Sequence, residues 1–482
     1  MLVATRPPPA PGRRSKAAPR VRLAIATFRP ARTTTWLAAA VSCVFAIVYV
    51  VYSLGRHRAF ATTGFDLGIF EQAVSNYAHG HWPTSNLREP GLNLLGDHFH
   101  PILIVLAPFY RLFPSAETLL VAQALLLAIS VFPVTRIACS ALGRGLGIAI
   151  GASYGLSWGL QNTVRFDFHE VAFAVPMLAF ALEAVLRGRY RAAVAFAAPL
   201  VFVKEDLGLT LAALGVVLAL HRPTRRLGLR TAVAGGLACA LTVLVVIPAF
   251  SADGVYRYLS SGGVNPYGAA VGDRFDSGKL CLLFLLLVPT AFIALRSPLL
   301  ILAVPTLAWR LQGTNRAYWT PDYHYDAVLM PILFCGLVHA LVLLRPRLMR
   351  ITRGTAGTAW ARAFLAAALL MIGPYAGTPT PLRGLTDGNF NNPPEYAAAA
   401  KRLMAEIPDG ASVATDNLLA SQLTSHTNVY LLQHTDKAEW ILAFASQSKG
   451  LCHLTASEVV TDGPLVLIHQ TWPTNPASIP DC

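Results

Sequence analysis

Long apolar blocks, each cut from the next by a short charged junction, constrain this chain more than any motif in it. The first, Trp36 to Leu54, runs about twenty residues before Arg56-His57-Arg58 and is long enough to cross a bilayer core of ~30 Å as a helix. Further runs lie near 116–135, 145–161, 171–186, 192–203, 207–220, 231–250, 279–295, 297–309, 327–344 and 359–375. With 54% hydrophobic and only 13% charged residues in a chain of 482, there is too little charged surface for a soluble protein of this size. The expected fold is an all-α polytopic membrane protein with about eleven transmembrane helices over residues 33–375.

The charge pattern sets an expected orientation. The formal charge is +14, and residues 1–32 carry eight of the cations, no acid and many prolines, which reads as a disordered basic cytoplasmic tail. Trp36 to Leu54 lacks a small-residue cleavage site and reads as an uncleaved anchor. Arg136 and Arg144, then Arg187, Arg189 and Arg191, then Arg222, Arg225, Arg226 and Arg230, then Arg296, then Arg345, Arg347, Arg350 and Arg353 fall in alternate connectors. The other connectors are acid-rich, so the positive-inside rule places the N-terminus in the cytoplasm and the polar chemistry outside. This distribution also accounts for the net charge without nucleic acid. Residues 98–113, short and interrupted by Pro108, read as interfacial or re-entrant within an outer loop spanning 55–115.

Residues 376–482 mix polar and apolar positions. Gly-Thr-Pro-Thr-Pro at 377–381 and Asn-Asn-Pro-Pro at 391–394 form a linker. Beyond it, a helix from Glu395 to Ile407, strands beginning at Val413 and at Asn428, and further candidates at 440–445 and 465–469 predict a small C-terminal extracytoplasmic α/β domain.

Five polar constellations fall in the acid-rich junctions. In the first, residues 63–72, Asp66 either caps the helix that follows or is poised as a base in the apolar setting of Phe65, Ile69 and Phe70. In Gly-Asp-His-Phe-His-Pro at 96–101, Asp97, His98 and His100 suit Zn or Mn better than Mg, or else are hydrogen-bonded loop residues. Gln161, Asn162, Arg165, Asp167, His169 and Glu170 form a third cluster, able to satisfy helix ends or to supply a missing ligand. Lys204, Glu205 and Asp206 sit between two apolar runs, where charges must pair or face a cavity; Lys204 is a candidate phosphate contact assisted by Arg165 or Arg316. Tyr323, His324, Tyr325 and Asp326, with Tyr318 and Trp319, form either an interfacial aromatic belt or a surface for sugar or lipid phosphate.

Other chemistries lack their signatures. No glycine-rich nucleotide loop, Gly-x-Ser-x-Gly elbow or His-Glu-x-x-His helix is present. The seven cysteines follow no metal spacing, and Cys452 and Cys482 are expected not to pair.

Taken in order, Gly-Phe-Asp-Leu-Gly-Ile-Phe-Glu-Gln at 64–72, Gly-Asp-His-Phe-His-Pro at 96–101, Phe-Asp-Phe-His-Glu at 166–170, Val-Lys-Glu-Asp at 203–206 and Tyr-His-Tyr at 323–325 resemble the motifs of a bacterial family of predicted membrane proteins, domain of unknown function 2079. That family is similar in layout to the GT-C membrane glycosyltransferases. The resemblance implies a plasma-membrane enzyme that takes a sugar from a polyprenyl-phosphate donor to an envelope glycan or lipid acceptor. Asp66 stands where that superfamily has its catalytic base or metal-binding acid, with Glu71 as the substitute. A divalent metal (Mg, Mn or Zn) is the cofactor implied. Glu170 stands where the family usually has proline, so the expectation rests on Asp167 and His169. The alternatives are a lipid or ion transporter gated by Lys204, Glu205 and Asp206, and a non-catalytic membrane scaffold.

Overall fold

The computed structural model describes residues 23–25, 31–260, 276–351, 380–388, 390–451 and 456–470. The expected count of about eleven spans is corrected: among the described residues, four helices are long and apolar enough to cross a membrane, Arg32–Arg58, Ala116–Leu142, Arg222–Phe250 and His324–Arg345. At 22 to 29 residues each exceeds the ~20 needed. The run at 359–375, like Cys452, Cys482 and most of the basic tail, lies outside the described residues.

Some of the other runs are short in the sequence itself, as at 171–186 and 207–220, and others are broken by it. The block at 145–161 divides at Ser157, whose backbone is extended, into helices Arg144–Gly155 and Trp158–Arg165. Pro199 opens a 3₁₀ stretch at Ala198–Phe202, and Pro298 does the same at Pro298–Ala303, as expected where a proline removes a backbone donor. After Leu287 the chain turns through Ala291 and Phe292, both with positive φ. Such short pieces cannot cross a bilayer alone.

The helices pack closely. Arg32–Arg58 lies along Ala116–Leu142, which also contacts Arg144–Gly155 and Ala174–Leu186. Leu207–Leu220 pairs with Arg225–Leu241, where a Cβ on Gly215 would come within 2.3 Å of the Ala232 backbone nitrogen; a small residue here allows the backbones to meet. Leu229, Val233, Leu237, Leu241 and Leu244 form an exposed apolar stripe along that hairpin, suited to lipid tails. Pro101–Leu112 is too short to span and exposes Ile104, Val105, Phe109 and Leu112, the amphipathic form of a helix lying in the membrane interface.

The bundle has two chemically distinct ends. At one, Glu183 accepts from Arg136 at 2.7 and 2.5 Å and from Arg187 at 2.9 Å, and Arg144 reaches Thr33 at the start of the first helix. At the other, Arg58 meets Glu117, and the loop after the first helix meets the C-terminal unit.

That unit contains a mixed five-stranded sheet. Short strands β1 (Thr84–Ser85) and β2 (Leu92–Asn93) form a separate ladder in the loop, and the sheet uses β3 (Ser412–Thr415), β4 (Asn428–Leu431), β5 (Trp440–Phe444), β6 (Glu458–Asp462) and β7 (Leu465–His469) in the order β4-β3-β5-β7-β6. β3 runs parallel to β4 and β5, and β7 runs antiparallel to β5 and β6. Alternation along the strands creates two apolar faces. Ala414, Ile441, Val466 and Ile468 line one. Val413, Val429, Leu442 and Leu467 line the other, which packs on helix Ala397–Met404 and also on Phe60, Ile69, Ala73, Leu87 and Leu94 of the segment after the first helix.

One ion pair fixes the segment that delivers the last site residue. Arg310, fully buried, donates to Asp326 at 2.7 and 3.3 Å, to the Tyr318 carbonyl at 2.6 Å and to the Tyr325 carbonyl at 3.3 Å. Arg310→Met should destabilise the protein by about 3–5 kcal/mol, because it strands a buried charge on Asp326, and adding Asp326→Leu should recover part of the loss. Denaturant unfolding in detergent followed by tryptophan fluorescence checks both changes.

Candidate functional site

The site forms where three separated segments meet. Asp66 lies in the turn Gly64–Gly68, His169 precedes the turn Glu170–Phe173, and His324 opens the turn His324–Asp326. One ligand atom from each lies within 4.8 Å of the others. The imidazoles of His169 and His324 stack with centroids 3.3 Å apart, and Phe70 meets His169 edge-on at 5.2 Å.

The neighbours of these residues explain their placement. Gln123, in the membrane helix Ala116–Leu142, donates to the carbonyls of Thr163 and Asp167 and accepts from the His169 backbone N–H. Asp167 adopts φ +58°, a conformation a non-glycine residue holds only when its surroundings enforce it. Its carboxylate accepts from the Thr63 N–H at 2.9 Å and lies 3.6 Å from Arg56. Asp167 therefore ties the His169 segment to the residues just before Asp66. Burial pushes its pKa up to about 6, against the charge of Arg56.

A relay of charge supports His169. Its Nδ1 lies 2.6 Å from Glu170, whose other oxygen lies 3.1 Å from Lys204. Burial opposes ionisation of Glu170, but the charges of His169 and Lys204 outweigh it and hold the carboxyl well below the usual range. The contact is one of proximity and charge rather than an aligned hydrogen bond, and it sets the His169 ring beside Asp66 and His324. Glu170, discounted in the sequence because it departs from the family pattern, is thus central to the site.

Asp66 itself is half-buried, and among the described residues no hydrogen bond or ion pair engages its carboxylate. Burial and the charge of Glu170 raise its pKa, while His169, Arg88 and Lys204 favour the ionised form. Asp66 is thus shifted toward the pKa range useful for a general base. Both ring nitrogens of buried His324 lack a hydrogen-bond partner. Two imidazoles and a carboxylate, with orphaned nitrogens facing the group, fit a divalent cation such as Zn or Mn.

The remaining candidates are engaged separately. Asp97 accepts from Arg88 at 3.0 Å; His98 lies 2.6 Å from Glu205; His100 is buried against Phe70, and burial lowers its pKa to about 4. Glu205 also accepts from Tyr256 at 2.8 Å, and Asp206 accepts from Trp309 at 2.9 Å. Arg165 reaches Asp322 at 3.3 Å, and Arg316 lies 3.7 Å from Asp276. Tyr323 packs on Phe166 and Tyr325 on His324. A cavity of about 20 Å³ bounded by Lys204, Asp206, Trp309, His324 and Tyr325 has room for about one water.

Glu71, the substitute acid, faces elsewhere. Fully buried, it accepts from Tyr110 at 3.0 Å and from Thr424, and burial pushes its pKa up to about 7. Gln123, Arg88, Asn417 and Thr424 escaped the sequence reading. Gln123 alone carried a signal, as an amide inside an apolar run.

The family described as "Predicted membrane protein (DUF2079)" matches residues 56–459. The chain belongs to that family. No functionally curated protein matches it. Among solved structures its fold is similar to that of ArnT from Cupriavidus metallidurans bound to undecaprenyl phosphate, at 16% identity and a TM-score of 0.53, and to that of the same protein in the apo state, at 14% and 0.54. Each comparison covers 91% of this chain and 98% of ArnT.

The elevated Glu71 pKa gives a stability test. Because the folded protein holds this proton more tightly than the unfolded chain, the associated stability is complete below the unfolded value of 4.5 and is lost as pH rises through about 7. Glu71→Gln cannot ionise, so the melting temperature of the parent should fall by several degrees relative to the variant between about pH 5 and about pH 8. Parallel melting curves across that range would contradict the assignment.

Proposed function

We propose that the protein transfers a sugar from a polyprenyl-phosphate donor to an envelope acceptor at the outer face of the bacterial plasma membrane. The observation that carries this reading is the convergence of Asp66, His169 and His324 beside Lys204, at the end of a bundle whose fold is like that of a protein solved with undecaprenyl phosphate. The arginines at the opposite end support a cytoplasmic N-terminus and an extracytoplasmic C-terminal unit.

In the proposed reaction, one oxygen of Asp66 accepts the proton of the acceptor hydroxyl as the hydroxyl oxygen attacks the anomeric carbon. The bond from that carbon to the phosphate oxygen breaks, and the phosphate leaves with the electron pair. Because it departs ionised, no second carboxylic acid has to protonate it, unlike the leaving alcohol in glycoside hydrolysis. Lys204 and Arg88 supply positive potential at Asp66, which favours a phosphate at the site. His169 and His324, with the other Asp66 oxygen, would hold a divalent cation that offsets the phosphate charge. Glu170 keeps His169 oriented, and Lys204 keeps Glu170 ionised.

Asp66→Asn removes the base with little change in shape, and transfer should fall by at least about a hundredfold while the protein still folds. Envelope glycans and polyprenyl-phosphate sugars compared between a deletion strain, its wild-type complement and an equally expressed Asp66→Asn complement provide the measurement. The proposal expects loss of one glycan linkage with donor accumulation, rescued by wild type alone. Unchanged glycan and lipid pools, or full rescue by Asp66→Asn, would count against it.

A further inference from the structure

The C-terminal unit covers the segment that carries Asp66 along nearly its whole length. Gln422 donates to the His57 carbonyl at 3.0 Å, and Ser421 lies 3.1 Å from Thr62. Asn417 accepts the Phe65 N–H at 2.8 Å, one residue before Asp66. Thr424 donates to Glu71, and Gln72 donates to the Val429 carbonyl at 2.9 Å. These contacts come from β4 and the short stretch before it, and they are spread over residues 57–72.

Packing excludes a loose tether. A Cβ added at Gly64 would stand 2.7 Å from the Ala420 Cβ, and one at Gly68 would stand 3.2 Å from the Thr424 Cγ2. Ile69 and Ala73 share one apolar core with Leu419, Leu423, Val413 and Val429. The sheet therefore buries one face against the helix that follows Asp66, and neither part completes its core without the other.

The backbone at Asp66 needs such support. Phe65 departs from helical geometry, with ψ 124°, at the start of the irregular turn Gly64–Gly68. Its N–H is satisfied by Asn417 rather than by the turn. Without that acceptor the N–H must find water, and the turn that aims Asp66 loses its fixed point.

The geometry points to the C-terminal unit as a working half of the site, in which Asn417, through the Phe65 N–H, and Thr424, through Glu71, are positioning residues for Asp66. This inference rests on the proposed reading of Asp66, His169 and His324 as a cation site, and it assigns the unit a role other than capturing acceptor at a distance.

The test uses purified full-length protein, zinc titration by calorimetry, and hydrogen exchange of the peptide containing Phe65. Asn417→Ala should weaken zinc binding by about tenfold, the size expected when a residue behind a ligand is lost, and should speed exchange at Phe65. Asn417→Asp, which keeps the acceptor, should restore the protection. Leu418→Ala, on the exposed side of the same helix, should leave both readouts within about twofold of the parent, well below that loss. If Asn417→Ala does not fold, Thr424→Val replaces it with the same expectation for zinc. Unchanged zinc binding and protection in these variants, while Asp66→Asn loses zinc, would overturn the inference and leave the site intact. If neither Asp66→Asn nor His169→Ala alters zinc binding, the cation reading fails instead, and exchange at Phe65 alone decides the positioning role.

Discussion

A buried carboxylate must find positive charge, and the contact between Glu170 and Lys204 meets that need for the core of the site. Glu170 is 1% exposed, so an unpaired charge there would cost several kcal/mol. Lys204 on one oxygen and His169 on the other make ionisation favourable. The pairing joins the turn after helix Trp158–Arg165 to the turn before helix Leu207–Leu220. It also fixes the His169 ring, against which His324 stacks. Arg310 and Asp326 hold the His324 segment by the same logic. The site is thus built from segments locked by charge at the bundle end, and Asp66 is the one acid among them without a direct partner among the described residues.

That economy separates roles among residues of similar chemistry. Asp167 braces a left-handed turn, Glu205 is taken by His98 and Tyr256, Asp206 by Trp309, and Glu71 by Tyr110 and Thr424. Each of these carboxylates has donors directed at it. Asp66 instead faces two imidazoles, one of which has no hydrogen-bond partner on either nitrogen. A carboxylate that no donor engages, set against an imidazole that is also unengaged, is the one available to substrate or cation.

Composition and charge periodicity made the membrane class legible, and the motif order made the family legible. Asp66, His169 and His324 all lay within sequence-defined constellations, but their meeting did not follow from spacing. Asp97, His98 and His100 looked the better ligand set because they are close in the chain; the irregular backbone between Asp97 and His100 sends them to Arg88, Glu205 and Phe70 instead. Lys204 was recognised as a charge needing a partner, yet the partner came from Glu170, some thirty residues away, rather than from adjacent Glu205. The span count erred because each apolar run was counted as a span: Ser157, Pro199 and Pro289 interrupt three of them, and the runs at 171–186 and 207–220 are short helices. Asn417 and Thr424 carried no signal, since a hydrogen bond across more than 350 residues leaves no local pattern.

Fold likeness to ArnT extends over nearly the whole chain at low identity, so chemistry has to be argued from this site rather than from the scaffold. The most direct test is a cryo-electron microscopy structure of the full-length protein in lipid nanodiscs with zinc and undecaprenyl phosphate. The account predicts cation density bridging Asp66, His169 and His324, with the lipid phosphate beside it on the Asp66 side. Phosphate density at another part of the bundle, with the three side chains free of a cation, would contradict it.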